Sequence, residues 1–391
     1  MSLRHTVPLR RTLPGLLAAL PLLIACTSKD SRTATVTPEV VPNALFVAPG
    51  GLDSNPGTQA APVRTLARAA QLVTPGTVVN VLPGTYYGGV RTAVDGKPGA
   101  RIVFRSVERW GARIVPPPVS GSDIAWDNRA DWIDIEGFEV DGSTAQAASG
   151  QAWRIGIYSA GSHVRIAGNH VHDVATTIPC TSRGGSAIGV DGYYKGAHAE
   201  VTGNSVHDIG PQGCRFVQGI YVTMPASVRN NVVYRVAEAG IHLWHDAREV
   251  VVANNTVAAS HTGILVGGGD FYHTEGPNDH TQVLNNIVYD NGRGIVEHGA
   301  TGPHNAYRNN LVAANRGGDW SLAPGMRHSG TVSAKPGFVD YAREGAPDFR
   351  LAADSPAIGK GVAAAQSDRD FLGRALAQAG PVDIGACQHA P

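Results

Sequence analysis

Lysine is scarce in this sequence. Only Lys29, Lys97, Lys195, Lys335 and Lys360 occur among 391 residues, so a catalytic lysine has few candidates. No basic run occurs and the formal net charge is zero, so nothing suggests nucleic acid as a partner. The His-Glu-x-x-His, P-loop, Gly-x-Ser-x-Gly and Cys-x-x-Cys motifs are all missing. With them go the readable signatures of zinc proteases, nucleotide binders, serine hydrolases and thiol oxidoreductases. What the chain has in quantity is glycine (48) and proline (25), which together outnumber the 32 basic plus 32 acidic residues. That composition favours a turn-rich β protein.

The first 25 residues read as a targeting segment. Arg4, Arg10 and Arg11 precede an apolar run over 13–25 that is too short to span a bilayer. It ends in Leu23-Ile-Ala-Cys26, which resembles a bacterial lipobox, so Cys26 is the expected lipidation site. Removal of the three arginines leaves a slightly acidic mature chain. Residues 26–42 have the composition of a flexible tether. The protein is therefore expected in the bacterial cell envelope, lipid-anchored and facing the periplasm or exterior, or else secreted, as a monomer. Its only membrane contact would be the anchor.

An internal repeat organises the rest. Asn169, Asn204, Asn231, Asn255, Asn286 and Asn310 recur in an apolar-x-Asn-x-Val setting, as in "IAGNHVHD", "VTGNSVHD" and "LNNIVYD". Phe138 holds the same register one coil earlier. A second column follows the first: Ile157, Ile188, Ile220, Ile241, Ile264 and Ile295. Two short alternating strands per coil, with stacked asparagines at a turn, predict an all-β right-handed parallel β-helix. The asparagines are structural in this reading, bonding along the solenoid axis. Leu66, Ala69, Ala70 and Val73 share one helical face and predict an N-terminal capping helix.

The flanks carry a resemblance. Asp53-Ser-Asn-Pro-Gly-Thr58, Pro62 and Pro83-Gly-Thr-Tyr86 are similar to the N-terminal module of extracellular β-helix proteins related to family 9 pectate lyases. "PDFRLAADSPAIGKG" (347–361) and "VDIGACQ" (382–388) resemble a C-terminal segment common in surface β-helix proteins, with Cys387 and Gln388 replacing its usual last two residues. The expected organisation is a cap with first coils (43–115), a β-helix with groove and inserts (116–334) and a C-terminal cap (335–391). The resemblance implies a polysaccharide lyase with a lysine base and aspartate-bound calcium. By position Lys195, alone in the central coils, inherits the base role.

The register identifies the chemistry-bearing face. If the column isoleucines point inward, Tyr158, Gly189, Tyr221, His242, Leu265 and Val296 point outward. Asp191, Thr223, Trp244, Gly267 and His298 follow two residues on. Long inserts at 174–187, 191–199, 208–218 and 267–280 adjoin this strip and would build a wall beside it. Cys180 and Cys214 sit in equivalent loops of successive coils, which predicts a disulfide and leaves Cys387 unpaired.

A groove of this kind suits a chain-like acidic polysaccharide. β-Elimination of a uronan needs a base for the C5 proton, a group to neutralise the carboxylate and an acid for the leaving oxygen. The candidates are His242, Tyr221, Lys195 and Arg215. Trp244, Tyr158, His245 and His298 are candidate substrate contacts, and Asp191, Asp246 and Asp270 candidate calcium ligands. Trp244 is either a sugar platform or a lid over an apolar gap. His172 and His207 share a column with Tyr234 and Tyr289, read as cross-coil stacking. Glu297 falls in the inward register and would need a buried partner. The functional expectation is an extracytoplasmic enzyme, a uronan lyase. The alternatives are a glycoside hydrolase on the same fold or a non-catalytic carbohydrate-binding or envelope-scaffold protein.

Overall fold

The computed structural model describes residues 43–119, 121–143, 152–363, 369–376 and 380–389. The targeting segment, the tether and Cys26 lie outside the described residues. Three parallel sheets of eleven, nine and nine strands run side by side, each strand pairing with its counterpart one coil away. The groove sheet is nine-stranded and runs from Val90–Thr92 to Trp320–Ser321. The second nine-stranded sheet runs from Gly84–Tyr87 to Leu311–Ala313. The eleven-stranded sheet runs from Ala44–Val47 to His328–Ser329.

The isoleucine column is in register as read, each isoleucine from Ile157 to Ile295 pairing with the next. Every one of these side chains is fully buried. They share one continuous core with the inward valines of the other two sheets. The asparagine ladder forms as well. Asn255 Nδ2 donates to Asn286 Oδ1 (2.9 Å) and to the Val228 carbonyl (2.9 Å), while Asn255 Oδ1 accepts from Asn231 N (3.0 Å) and Nδ2 (2.9 Å). Phe138 N donates to Asn169 Oδ1 at 3.0 Å, which starts the ladder one coil earlier. Fully buried amides thus use their donors and acceptors along the axis.

Helix Leu66–Leu72 forms over the first coils, burying Leu66, Ala69 and Ala70. Asp53 explains the preceding motif, because its carboxylate accepts from Arg64 N, Thr65 N and Thr65 Oγ1, and Thr65 in turn caps the helix through Arg68 N. At the other end Trp320, Leu322 and Met326 pack on the core. The described residues of the C-terminal segment, 335–363, 369–376 and 380–389, do something other than the expected capping. They fold back along the outside of the second sheet, where Leu351, Ala357 and Ile384 cover Ile287 and Leu311, and Phe349 and Ala386 cover Val232 and Ala258. Those coils carry apolar residues on their outward positions, which would otherwise face water. The segment is a strap, reaching as far as Arg109, which donates to the Phe371 carbonyl at 3.1 Å.

Candidate functional site

The outward strip is real. Tyr158, Gly189, Tyr221, His242, Leu265 and Val296 are consecutive partners on adjacent strands of the groove sheet. The first five of them form the floor of a cleft of about 720 Å³, walled by Ser182–Gly185, Arg215, Phe216, Asp270 and Tyr272 from the inserted loops. The Cys180–Cys214 disulfide joins two of these loops, and Cys387 is free and buried. A structural disulfide fits an extracytoplasmic, oxidising compartment.

Of the expected site residues, Tyr221, His242, Arg215, Trp244, Tyr158, His245, His298, Asp191 and Asp270 line this one cleft. Tyr221 and His242 have ring centroids 5.2 Å apart. Neither nitrogen of His242 has a hydrogen-bond partner, and both are buried. Burial, followed by the neighbouring His245 and His298, lowers its pKa to about 3, so the imidazole is neutral at physiological pH. Tyr221 moves the other way: burial, reinforced by Tyr272, Asp191 and Asp270, raises its phenol well above the usual range and keeps it protonated. His245 donates from Nδ1 to the Asp270 carbonyl (2.7 Å) and stacks on Tyr272 at 4.0 Å. The Trp244 indole lies over Gly267 and Gly269 and stacks with His298 at 5.8 Å. A Cβ on either glycine would come within 2.6 Å of that ring, which gives the Gly267-Gly-Gly run its reason.

Two expected residues lie elsewhere. Lys195 lines a separate, smaller cleft with Arg91, Arg129 and Tyr194. The turn after Asp191, closed by Tyr193 N to Asp191 Oδ1 and Lys195 N to the Gly192 carbonyl, carries the lysine away from His242. The base role implied for it by resemblance has no geometry here. Asp246 is buried under the long 269–277 loop, accepting from His273 N (2.7 Å) and Thr274 Oγ1 (2.8 Å).

The donor set also fails to fit calcium. Asp191 accepts from Tyr158 OH (2.6 Å), Thr223 Oγ1 (2.8 Å) and Tyr193 N (2.9 Å), so both its oxygens are engaged. Asp246 is committed to its loop. Asp191, Asp246 and Asp270 do not gather into one ligand group among the described residues, whereas calcium requires six to eight converging oxygens.

Sequence reading missed one end of the cleft. Glu238, Arg293, His261 and Arg154 line it with Arg215. Glu238 Oε1 lies 3.7 Å from Arg293, Oε2 lies 3.9 Å from His261, and Oε2 is buried without a hydrogen bond. Burial raises its carboxyl above the usual range, against the opposing pull of His261, Arg293 and Arg215. Glu238 stands just before the strand Ala239–Leu243, outside the alternating pattern that revealed the strip. Arg215 and Arg293 bring positive charge to the cleft, whereas Arg154 and Arg183 both pair with Asp123. Glu297 has the partners its register demanded, Tyr307 OH (2.7 Å) and Ala323 N (2.8 Å).

The chain belongs to the right-handed β-helix family, whose model, described as the right handed beta helix region, matches residues 124–325. A second model, of a protein of unknown function, matches residues 49–90. An uncharacterized protein of Bacillus subtilis (strain 168), YwoF, is 34% identical over 140 residues. That match spans 34% of this chain and 29% of YwoF. Among solved structures, pectate lyase Pel9A aligns over 89% of this chain and 96% of its own, with 16% identity and a TM-score of 0.59. A glycoside hydrolase aligns over 73% and 89%, with 10% identity and a TM-score of 0.54. A lacto-N-biosidase from Eubacterium ramulus aligns over 71% and 57%, with 14% identity and a TM-score of 0.51. These likenesses establish the fold.

Proposed function

We propose that the cleft binds a uronic-acid-containing polysaccharide and cleaves it by β-elimination. The observation that carries this reading is His242, an imidazole with two buried, unpartnered nitrogens on the floor of an arginine-lined cleft, beside a phenol held protonated. Paired groups whose environments push their pKa values apart are the mark of an acid and a base. His242 takes the C5 proton, the C4–O bond breaks to leave a C4=C5 double bond, and the Tyr221 hydroxyl delivers its proton to the departing oxygen. Arg215 and Arg293 neutralise the substrate carboxylate as charge builds on it. A bound carboxylate also raises the basicity of His242 from its low value in the empty cleft. No step requires a metal. Trp244 and Tyr272 offer faces for sugar rings. In this account the protein is held at the envelope by lipid on Cys26 and works as a monomer.

Glu238 favours a second reading, glycoside hydrolysis. A carboxyl with a raised pKa is a general acid, and Asp191 and Asp270 line the same cleft as partner carboxylates. Incubation with pectate, alginate and glycosaminoglycans, followed by mass spectrometry, separates the cases. Elimination yields unsaturated ends without uptake of water, and hydrolysis yields saturated ends with it. Binding with no product on any of these polymers would indicate a carbohydrate-binding or scaffold protein.

A further inference from the structure

The second sheet carries a side-chain cluster that the cleft does not use. Strand pairing sets Glu139 beside His170, and Asp141, His172 and His207 side by side in the neighbouring outward row. The sequence shows the pattern as "EVD" at 139–141 stacked on "HVH" at 170–172. The expected cross-coil stacking is present, His172 on His207 at 5.2 Å and His207 on Tyr234 at 4.8 Å. Stacking does not account for where the ring nitrogens point.

His172 Nδ1 faces Asp173 Oδ2 at 2.8 Å, and its Nε2 faces Glu139 Oε1 at 3.2 Å. His207 Nδ1 faces Asp208 Oδ2 at 2.6 Å, and Asp208 is held by two bonds from Arg235. A carboxylate on Nδ1 places the ring proton there and leaves a lone pair on Nε2. One such lone pair meets a carboxylate oxygen. The other meets His170 Nε2 at 2.7 Å. His172 Nε2 and Glu139 Oε1 need a proton or a metal ion between them, and the His170–His207 pair is closed either by a single N–H or by a shared metal ion. A carboxylate on the outer nitrogen is also the usual companion of a metal-ligating histidine.

Asp141 pairs with Arg113 and lies 3.8 Å from His172 Nδ1, Arg113 also lies 3.8 Å from Glu139, and Arg109 lies over Trp110, whose ring covers one side of His170 at 4.7 Å. The His172 and His207 side chains keep 12% and 15% exposure, so the cluster is reachable from solvent.

We propose that Glu139, His170 and His172, with His207 in a fourth position, bind a divalent transition-metal ion of the zinc class. Glu139, His170 and His172 each offer a ligand atom within 4.8 Å of the others. Imidazole nitrogens with one carboxylate suit zinc and its first-row neighbours, unlike calcium. Metal–ligand bonds of about 2.0–2.1 Å in a tetrahedron set ligand atoms about 3.3 Å apart. The His172–Glu139 pair already has this spacing, and the His170–His207 pair has to open by about half an ångström. The ion would clamp three successive coils of the second sheet.

The test is titration of the chelator-treated full chain with Co(II), read by its visible d–d absorption, and with Zn(II), read by calorimetry. One equivalent is expected to bind with the intense bands of four-coordination. Glu139→Gln and His170→Gln abolish those bands while circular dichroism stays unchanged. Asp173→Asn weakens binding by about 10–100-fold. His304→Gln, in the separate and exposed Asp279–His280–His304 group, leaves binding intact. The proposal is overturned if the wild-type chain binds neither ion, if binding survives both Glu139→Gln and His170→Gln, or if His304→Gln abolishes it. Glu139→Gln is a near-isosteric change at a partly buried position, so the test stands even if a histidine variant folds poorly.

Discussion

Tyr221 and His242 occupy partnered positions on adjacent coils, their rings 5.2 Å apart at 59°, although 21 residues separate them in the chain. The pairing is a consequence of coil stacking at about 4.8 Å. It places a protonated phenol beside a neutral imidazole without any local sequence motif.

Acid should destabilise the fold through His242. Its pKa is about 3 when folded, against an ordinary 6.5, so between those values the unfolded chain binds the extra proton. Stability is therefore lost as pH falls from about 6.5 toward 3. His170, also lowered to about 3, acts in the same direction. The raised value of His172 acts in the opposite direction. Urea denaturation at neutral pH and about two units below 6.5 should show wild type losing about 2–3 kcal/mol more than His242→Leu. Equal losses in the two proteins would refute the desolvated imidazole.

The asparagine ladder should be costly to interrupt. Asn255→Leu removes four hydrogen bonds and leaves donors of Asn231 and the acceptor of Val228 buried and unmet. A destabilisation of about 3–5 kcal/mol is expected by chemical denaturation. A value below about 1 kcal/mol would mean that the coils stack without the ladder.

Reduction of Cys180–Cys214 should loosen the cleft wall and spare the solenoid. The bond closes a 34-residue separation, worth about 3–4 kcal/mol of unfolded-chain entropy. The Cys180→Ala/Cys214→Ala chain is expected to keep its far-ultraviolet circular dichroism, to be nicked by protease within 174–187 or 208–218, and to bind substrate more weakly through Arg215. Cleavage first appearing in the coil strands would contradict this.

Gly267→Ala should displace Trp244. The added methyl would meet the indole at 2.6 Å, and relieving that contact is expected to cost about 1–3 kcal/mol. The near-ultraviolet circular dichroism of the aromatic cluster should change in wild type and remain constant in a Trp244→Phe background. Equal changes in both backgrounds would place the strain elsewhere.

The sequence was most readable where one rule repeats. The isoleucine column, the asparagine ladder, the outward strip and the disulfide all follow from period and stacking, and the structure has each of them. It was least readable where loops decide position. Lys195 and Asp246 were assigned from their places in the chain, but a tight turn carries the first away and the 269–277 loop claims the second. Glu238 and Arg293 were invisible because they stand at strand ends, outside the alternation. The outward Val232, Ile287 and Leu311 carry a further legible signal: apolar residues on both faces of a strand require a cover, which Phe349, Leu351, Ala357, Ile384 and Ala386 of the C-terminal strap supply.

The measurement that tests the account most directly is the ultraviolet absorbance of unsaturated uronate released from an acidic polysaccharide by wild type, Tyr221→Phe and His242→Gln. Wild type should release unsaturated uronate steadily from at least one of pectate, alginate or a glycosaminoglycan. Turnover should fall by about 100-fold or more in each variant, with folding preserved. Absence of unsaturated product from wild type on all of these polymers, or undiminished turnover in either variant, would contradict β-elimination by His242 and Tyr221.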